Sequence, residues 1–151
     1  MNRLIAAYLP GMTLDPGTFS HIPPLLTPSS TKGYVRWMTV TDGHYPSYYK
    51  DEISDHFVVN PIHFNSNIDD YSDHKLHKGV LTRRLKLQYA KALSAKPNKG
   101  ILWIKPLNTP LGALITIKDW HVADYNLFWP NIRENIELRI NTFRGFTNSS
   151  A

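Results

Sequence analysis

The chain contains no cysteine. That excludes disulfides, thiol nucleophiles, iron–sulfur clusters and cysteine-based zinc sites, but leaves the redox compartment open. It also lacks any apolar run approaching the 18 or more residues that a membrane-spanning helix needs. The apolar stretch Leu4 to Leu9 is stopped by Pro10-Gly11, which is too short for the core of a signal peptide. Neither export by that route nor membrane anchoring is expected, so the site of synthesis and residence is read as cytoplasm or an assembled particle. Glycine-rich phosphate loops and the G-x-S-x-G elbow are missing too, which leaves nucleotide hydrolysis, nicotinamide chemistry and serine acyl transfer without a motif. Acids are absent from residues 75–105, which hold nine bases: Lys75, Lys78, Arg83, Arg84, Lys86, Lys91, Lys96, Lys99 and Lys105.

What is present is a 151-residue chain with 42% hydrophobic and 12% aromatic residues and a net charge of +5. That length and composition suit one folded domain. The charge is segregated. Residues 42–73 carry Asp42, Asp51, Glu52, Asp55, Asp69, Asp70 and Asp73 against the single base Lys50. The two blocks either neutralise each other within the fold or meet oppositely charged surfaces.

Residues 10–31 contain five prolines and two glycines, with Phe19, Ile22, Leu25 and Leu26 among them. Proline fixes φ and removes a backbone donor, so neither helix nor central strand is expected there. The stretch reads as an extended arm with apolar anchors. The chain is thus divided into an N-terminal arm-bearing segment, 1–31, and a single α+β domain, 32–151. Deleting the arm is expected to leave that domain folded.

Residues 33–41 are β-branched and aromatic and read as a strand, as do 56–59 and 101–104. Alternation predicts further strands over 113–119 and 135–143, the latter with Ile136, Leu138 and Ile140 inward. Leu81, Leu85, Tyr89, Ala92 and Leu93 recur at helical spacing, predicting one main amphipathic helix over about 80–95, ended by Pro97 and Gly100. Strands on both sides of one helix suggest an antiparallel β-sheet with that helix packed on one face.

Three groups of residues carry candidate chemistry. Asp70, His74 and His77 fall at i, i+4 and i+7, one face of a helix if 70–77 is helical, and two imidazoles with a carboxylate suit a first-row metal. The spacing matches neither the zinc-protease pattern nor an EF-hand, and no metal or other cofactor is expected; a His/Asp metal-dependent hydrolase is the weakest alternative. Arg83, Arg84, Lys86 and Lys91 form the core of a basic block that suits phosphates, the basis of an alternative reading as a nucleic-acid-binding accessory protein. The arm anchors Phe19, Ile22, Leu25 and Leu26, with the aromatics Tyr45, Tyr48, Tyr49, Trp120, Phe128 and Trp129, suit contact with partner subunits. Small, cysteine-free, arm-bearing and sheet-rich, the chain resembles in style the structural components of virions, of connector, tail or capsid-associated type. The leading expectation is a non-enzymatic structural or assembly subunit that binds copies of itself or other subunits, with nucleic acid a candidate partner through residues 75–105.

Overall fold

The computed structural model describes residues 3–15, 17–49, 51–66, 69–106 and 117–148. The fold is a mixture of small sheets and one C-terminal helix, of α+β type. The β-branched and aromatic run 33–41 forms two strands, β2 (Gly33–Trp37) and β3 (Thr39–Thr41). Every residue of β2 is buried. β1 (Ala6–Pro10) lies parallel to β2, with Ala6 opposite Gly33 and Pro10 opposite Trp37.

A hairpin at 80–88 supplies β4 (Val80–Leu81) and β5 (Leu87–Gln88). β6 (Leu93–Asn98) and β7 (Ile101–Pro106) form a second, longer hairpin. In the three-stranded sheet β7 is central, parallel to β3 and antiparallel to β6. The helix α1 (Asp124–Asn148) closes the chain and is kinked at Phe128, two residues before Pro130. Proline offers no donor to the preceding turn and clashes with its carbonyl, which accounts for the kink. Among the described residues no helix is long and apolar enough to cross a membrane.

The main core gathers around Trp37, which packs edge-on against Phe64 and Phe128 at ring separations of 6.3 and 6.5 Å. Leu25 belongs to this core at 3% exposure. The proline-rich stretch therefore lies on its own chain as a strap. Leu25 N donates to Tyr34 O, and Tyr34 N to Pro23 O, at 2.8 and 2.9 Å. A Cβ on Gly33 would sit 2.1 Å from Pro23 O, so only glycine lets the strap run this close beside β2, in the parallel bridge of Pro24 and Tyr34.

Several expectations are corrected. The single antiparallel sheet is three small sheets, one wholly parallel and one mixed. The expected helix over 80–95 is the β4–β5 hairpin followed by the start of β6. Leu85, Tyr89 and Lys91 have φ of 56°, 58° and 62°, left-handed backbone that an α-helix cannot contain. Its apolar residues serve different surroundings: Ala92 and Leu93 are buried, whereas Leu85 is 80% exposed.

The strand expected over 135–143 is the interior of α1, with Ile136 and Leu138 facing outward. Alongside Leu127, Phe128 and Ile132, α1 buries the polar Asn131, Asn135 and Arg139. Residues 56–59 form no strand, although Val59 N bonds to Arg36 O at 2.9 Å. The helical turn expected at 70–77 is a 3-10 turn of His74–Leu76, begun by Asp73 accepting from Lys75 N. The strand expected over 113–119 lies largely outside the described residues; within them, Asp119 bridges Val40.

Candidate functional site

At the tip of the β4–β5 hairpin Arg83, Arg84, Leu85, Lys86 and Leu87 all face solvent. Its base is fastened to α1. Asn126 Nδ2 donates to Leu81 O, Lys78 N donates to Asn131 Oδ1, and Asn131 Nδ2 donates to Leu76 O, each at 2.9 Å. Lys78 also pairs with Glu134. Gly79, at φ 124°, lets the chain enter the hairpin; a Cβ there would approach Gln88 O to 2.9 Å.

The tip is closed by four bonds within five residues. Thr82 N donates to Lys86 O and Leu85 N to Thr82 O, both at 2.9 Å. Thr82 Oγ1 donates to Lys86 O and accepts from Lys86 N, at 3.0 and 3.3 Å. This clasp holds Leu85 in a left-handed conformation that costs an L-residue about 1–2 kcal/mol, with its side chain in water.

Between the hairpin and the outer face of α1 runs an open groove of about 740 Å³. Leu87, Trp129, Pro130, Ile136 and Ile140 give it an apolar lining, and Arg133, Glu134, Glu137 and Arg144 add charge. Comparison with protein-family models, with curated proteins and with solved structures finds no match for this chain.

The basic residues singled out in the sequence, Arg83, Arg84, Lys86 and Lys91, are all exposed and cluster on this hairpin and the turn after it. The acidic and basic blocks do meet where Lys105 pairs with Asp42 at 3.4 Å. Lys96 and Lys105 also lie over the Tyr71 ring, 5.9 and 3.9 Å from its centroid. Tyr71 Oη donates to Asp42, and the phenol is pushed well above its ordinary range by burial and by that carboxylate. Among the described residues, the acidic block therefore neutralises the basic block at its β7 end, while Lys78 at the other end pairs with Glu134 of α1.

Asp70, His74 and His77 do not form one face. His77 is buried with both ring nitrogens engaged, Nε2 with Leu127 O at 2.9 Å and Nδ1 with Ala92 N at 3.2 Å. This pairing suits the neutral tautomer protonated at Nε2, and burial lowers the affinity of the ring for a second proton. His77 is thus a structural tie between α1 and the start of β6. Among the described residues no group of three or more ligating side chains is placed to hold a metal.

Of the expected arm anchors, Leu25 is core, Ile22 is half-buried, and Phe19 and Leu26 are exposed. Phe19 lies edge-on to Tyr34 at 5.4 Å. Among the aromatics, Trp120 and Phe128 are buried, Trp129 lines the groove, and Tyr45 and Tyr48 remain exposed.

The local pattern did not reveal a polar cluster of Tyr48, Asp119 and His121. Tyr48 Oη donates to Asp119 Oδ2 at 2.7 Å, and His121 Nδ1 lies 2.5 Å from Asp119 Oδ1. Partial burial works to raise the Asp119 pKa, but the bonds from His121 and Tyr48 outweigh it and hold the carboxyl below its usual range. The local signal was the Asp119-x-His121 spacing; Tyr48 is 71 positions away, beyond any local pattern.

Proposed function

We propose that the chain is a non-catalytic assembly subunit, of the kind that builds virus or phage particles, and that it docks a neighbouring subunit in the groove between the β4–β5 hairpin and α1. The observation that carries this reading is the apolar lining of that groove, with Leu87 55% and Ile136 38% exposed. Apolar side chains grouped in a groove with charged residues beside them match the core-and-rim arrangement of protein interfaces. The half-buried Trp129 has the character of an interface anchor, since tryptophan supplies a large apolar surface at small conformational cost. Copies of the same chain are the expected neighbours, because small assembly subunits most often repeat by symmetry.

The test is solution mass. The protein is expected to form oligomers that grow with concentration, and Ile136→Asp should return them to monomers with an unchanged melting temperature, because the position is on the surface. A chain that stays monomeric at high concentration and captures no other subunit would count against the reading. So would an Ile136→Asp variant that assembles like the parent.

A further inference from the structure

We propose that the β4–β5 hairpin tip and the turn after β5 bind the phosphate backbone of nucleic acid, with Arg83, Arg84, Lys86 and Lys91 meeting phosphates and Leu85 lying against sugar and base faces beside them. This goes beyond the assembly reading, which concerns the groove at the base of the hairpin.

Charge complementarity carries the argument. Among the described residues, carboxylate partners are taken by Lys78 and Lys105, whereas Arg83, Arg84, Lys86 and Lys91 have none within ion-pair distance. Three of these cations stand on the exposed tip and Lys91 in the turn after β5, a concentrated positive charge with no counter-ion among the described residues. A row of phosphates presents the matching negative charge, and guanidinium forks match phosphate oxygens.

The tip is also pre-organised. The Thr82–Lys86 clasp fixes the turn before any partner arrives, so binding does not have to order it. The same clasp holds Leu85 80% exposed in left-handed backbone, where glycine would be the comfortable residue. An aliphatic side chain held outward between cations is suited to packing on the sugar–base surface beside the phosphates.

A two-stranded ribbon is narrow enough to enter the major groove of a duplex. With its cations on phosphates, the tip makes contacts that every sequence offers alike, so binding should be insensitive to sequence. An anionic membrane is the poorer match. The hairpin offers two exposed leucines and no aromatic residue between 80 and 88, little apolar surface for insertion.

The experiment measures binding of the full chain to a 30-base-pair DNA duplex and a 30-nucleotide single-stranded RNA across a salt series. Four phosphate contacts predict a slope of log affinity against log salt of about −3.6 on the duplex, a loss of about 150-fold for a fourfold rise in salt. Changing Arg83, Arg84, Lys86 and Lys91 together to Gln should bring that slope close to zero while the circular dichroism spectrum stays the same.

Leu85→Gly keeps every cation and suits the left-handed backbone. It should leave the melting temperature unchanged or higher and the salt slope intact, yet weaken binding several-fold at every salt concentration. Full affinity in Leu85→Gly would remove Leu85 from the contact. Absence of binding at low salt, or a slope that survives the fourfold Gln variant, would overturn the proposal. Binding to phosphatidylserine vesicles but not to nucleic acid would replace it with a membrane contact. A fall in solution mass in the Gln variant, with nucleic-acid binding intact, would overturn the proposal and assign the tip to a contact with a neighbouring copy. Because the groove is tested separately by Ile136→Asp, failure here and failure of the assembly reading are distinguishable.

Discussion

Deleting residues 10–31 is expected to abolish cooperative folding, the reverse of what an independent arm would allow. The strap contributes Leu25 to the main core, and truncating a buried leucine alone costs about 2–5 kcal/mol. It also supplies backbone acceptors to a buried guanidinium. Arg139 is fully buried; its Nη1 donates to Ser30 O and its Nη2 to Thr27 O, the latter at 3.2 Å. Asn135 Nδ2 donates to Pro28 O at 2.9 Å, while its Oδ1 accepts from Arg139 Nε at 2.7 Å and Tyr8 Oη at 2.6 Å.

Removing the strap leaves this network with a buried cation short of acceptors, a loss of about 3–5 kcal/mol by analogy with broken buried pairs. At the other end, Arg36 Nε loses Met12 O, now at 2.9 Å. Together these losses rival the entire stability of a small domain, about 5–15 kcal/mol. Thermal unfolding followed by near-ultraviolet circular dichroism tests the expectation; a deletion variant with a cooperative transition within a few degrees of the parent would refute it. Leu25→Ala and Arg139→Met, made singly, should each lower the melting temperature without changing chain length.

Replacing Asp124 by Asn should stabilise the protein increasingly as pH rises from about 4 to 8. Asp124 is buried at the start of α1, and burial pushes its carboxyl up to about 8, against the hydrogen bond donated by Thr39 Oγ1. Its Oδ2 has no hydrogen-bond partner among the described residues.

The folded chain therefore keeps this proton to about pH 8, while the unfolded chain releases it near pH 4. Between those values the unfolded state binds fewer protons, so stability falls as pH rises, by at most about 1.4 kcal/mol per unit. Below pH 4 both states are protonated and the term vanishes. Asn keeps an acceptor for Thr39 and carries no proton to lose.

His56, His63 and His77 work in the opposite sense. Burial lowers all three, so their contribution declines as pH falls below about 6.5, where the unfolded imidazoles charge. Taking the difference between parent and Asp124→Asn at each pH cancels the histidines. A difference in melting temperature that grows from pH 4 to 8 and then levels is the expected result. A constant difference, or a parent that gains on the variant as pH rises, would show instead that Asp124 is ionised and held by the nearby Arg36.

Some of this molecule was decided along the sequence itself. Consecutive β-branched and aromatic residues made β2, β3 and the first residues of β7 legible, because a strand buried on both faces favours such side chains on successive residues, with Arg36 the exception in β2. The absence of acids from 75–105 marked the basic surface, since charge that has no local partner stays exposed unless a distant one is found.

The identity of the helix was decided by tertiary structure. At 80–95 the helical spacing of leucines was accidental, and the backbone there is a hairpin whose turn is locked by Thr82 and Lys86. At 124–148 the buried face carries Asn131, Asn135 and Arg139, which satisfy carbonyls of the strap and of residues 62 and 76. Beyond Ile132 a helix that buries an amide and a guanidinium has no apolar stripe to read, and the carbonyls that Asn131, Asn135 and Arg139 reach lie from 55 to 112 positions away along the chain. The same physics removed His77 from the metal candidates: its spacing to Asp70 and His74 is local, but the Leu127 carbonyl that engages it arrives only when α1 packs.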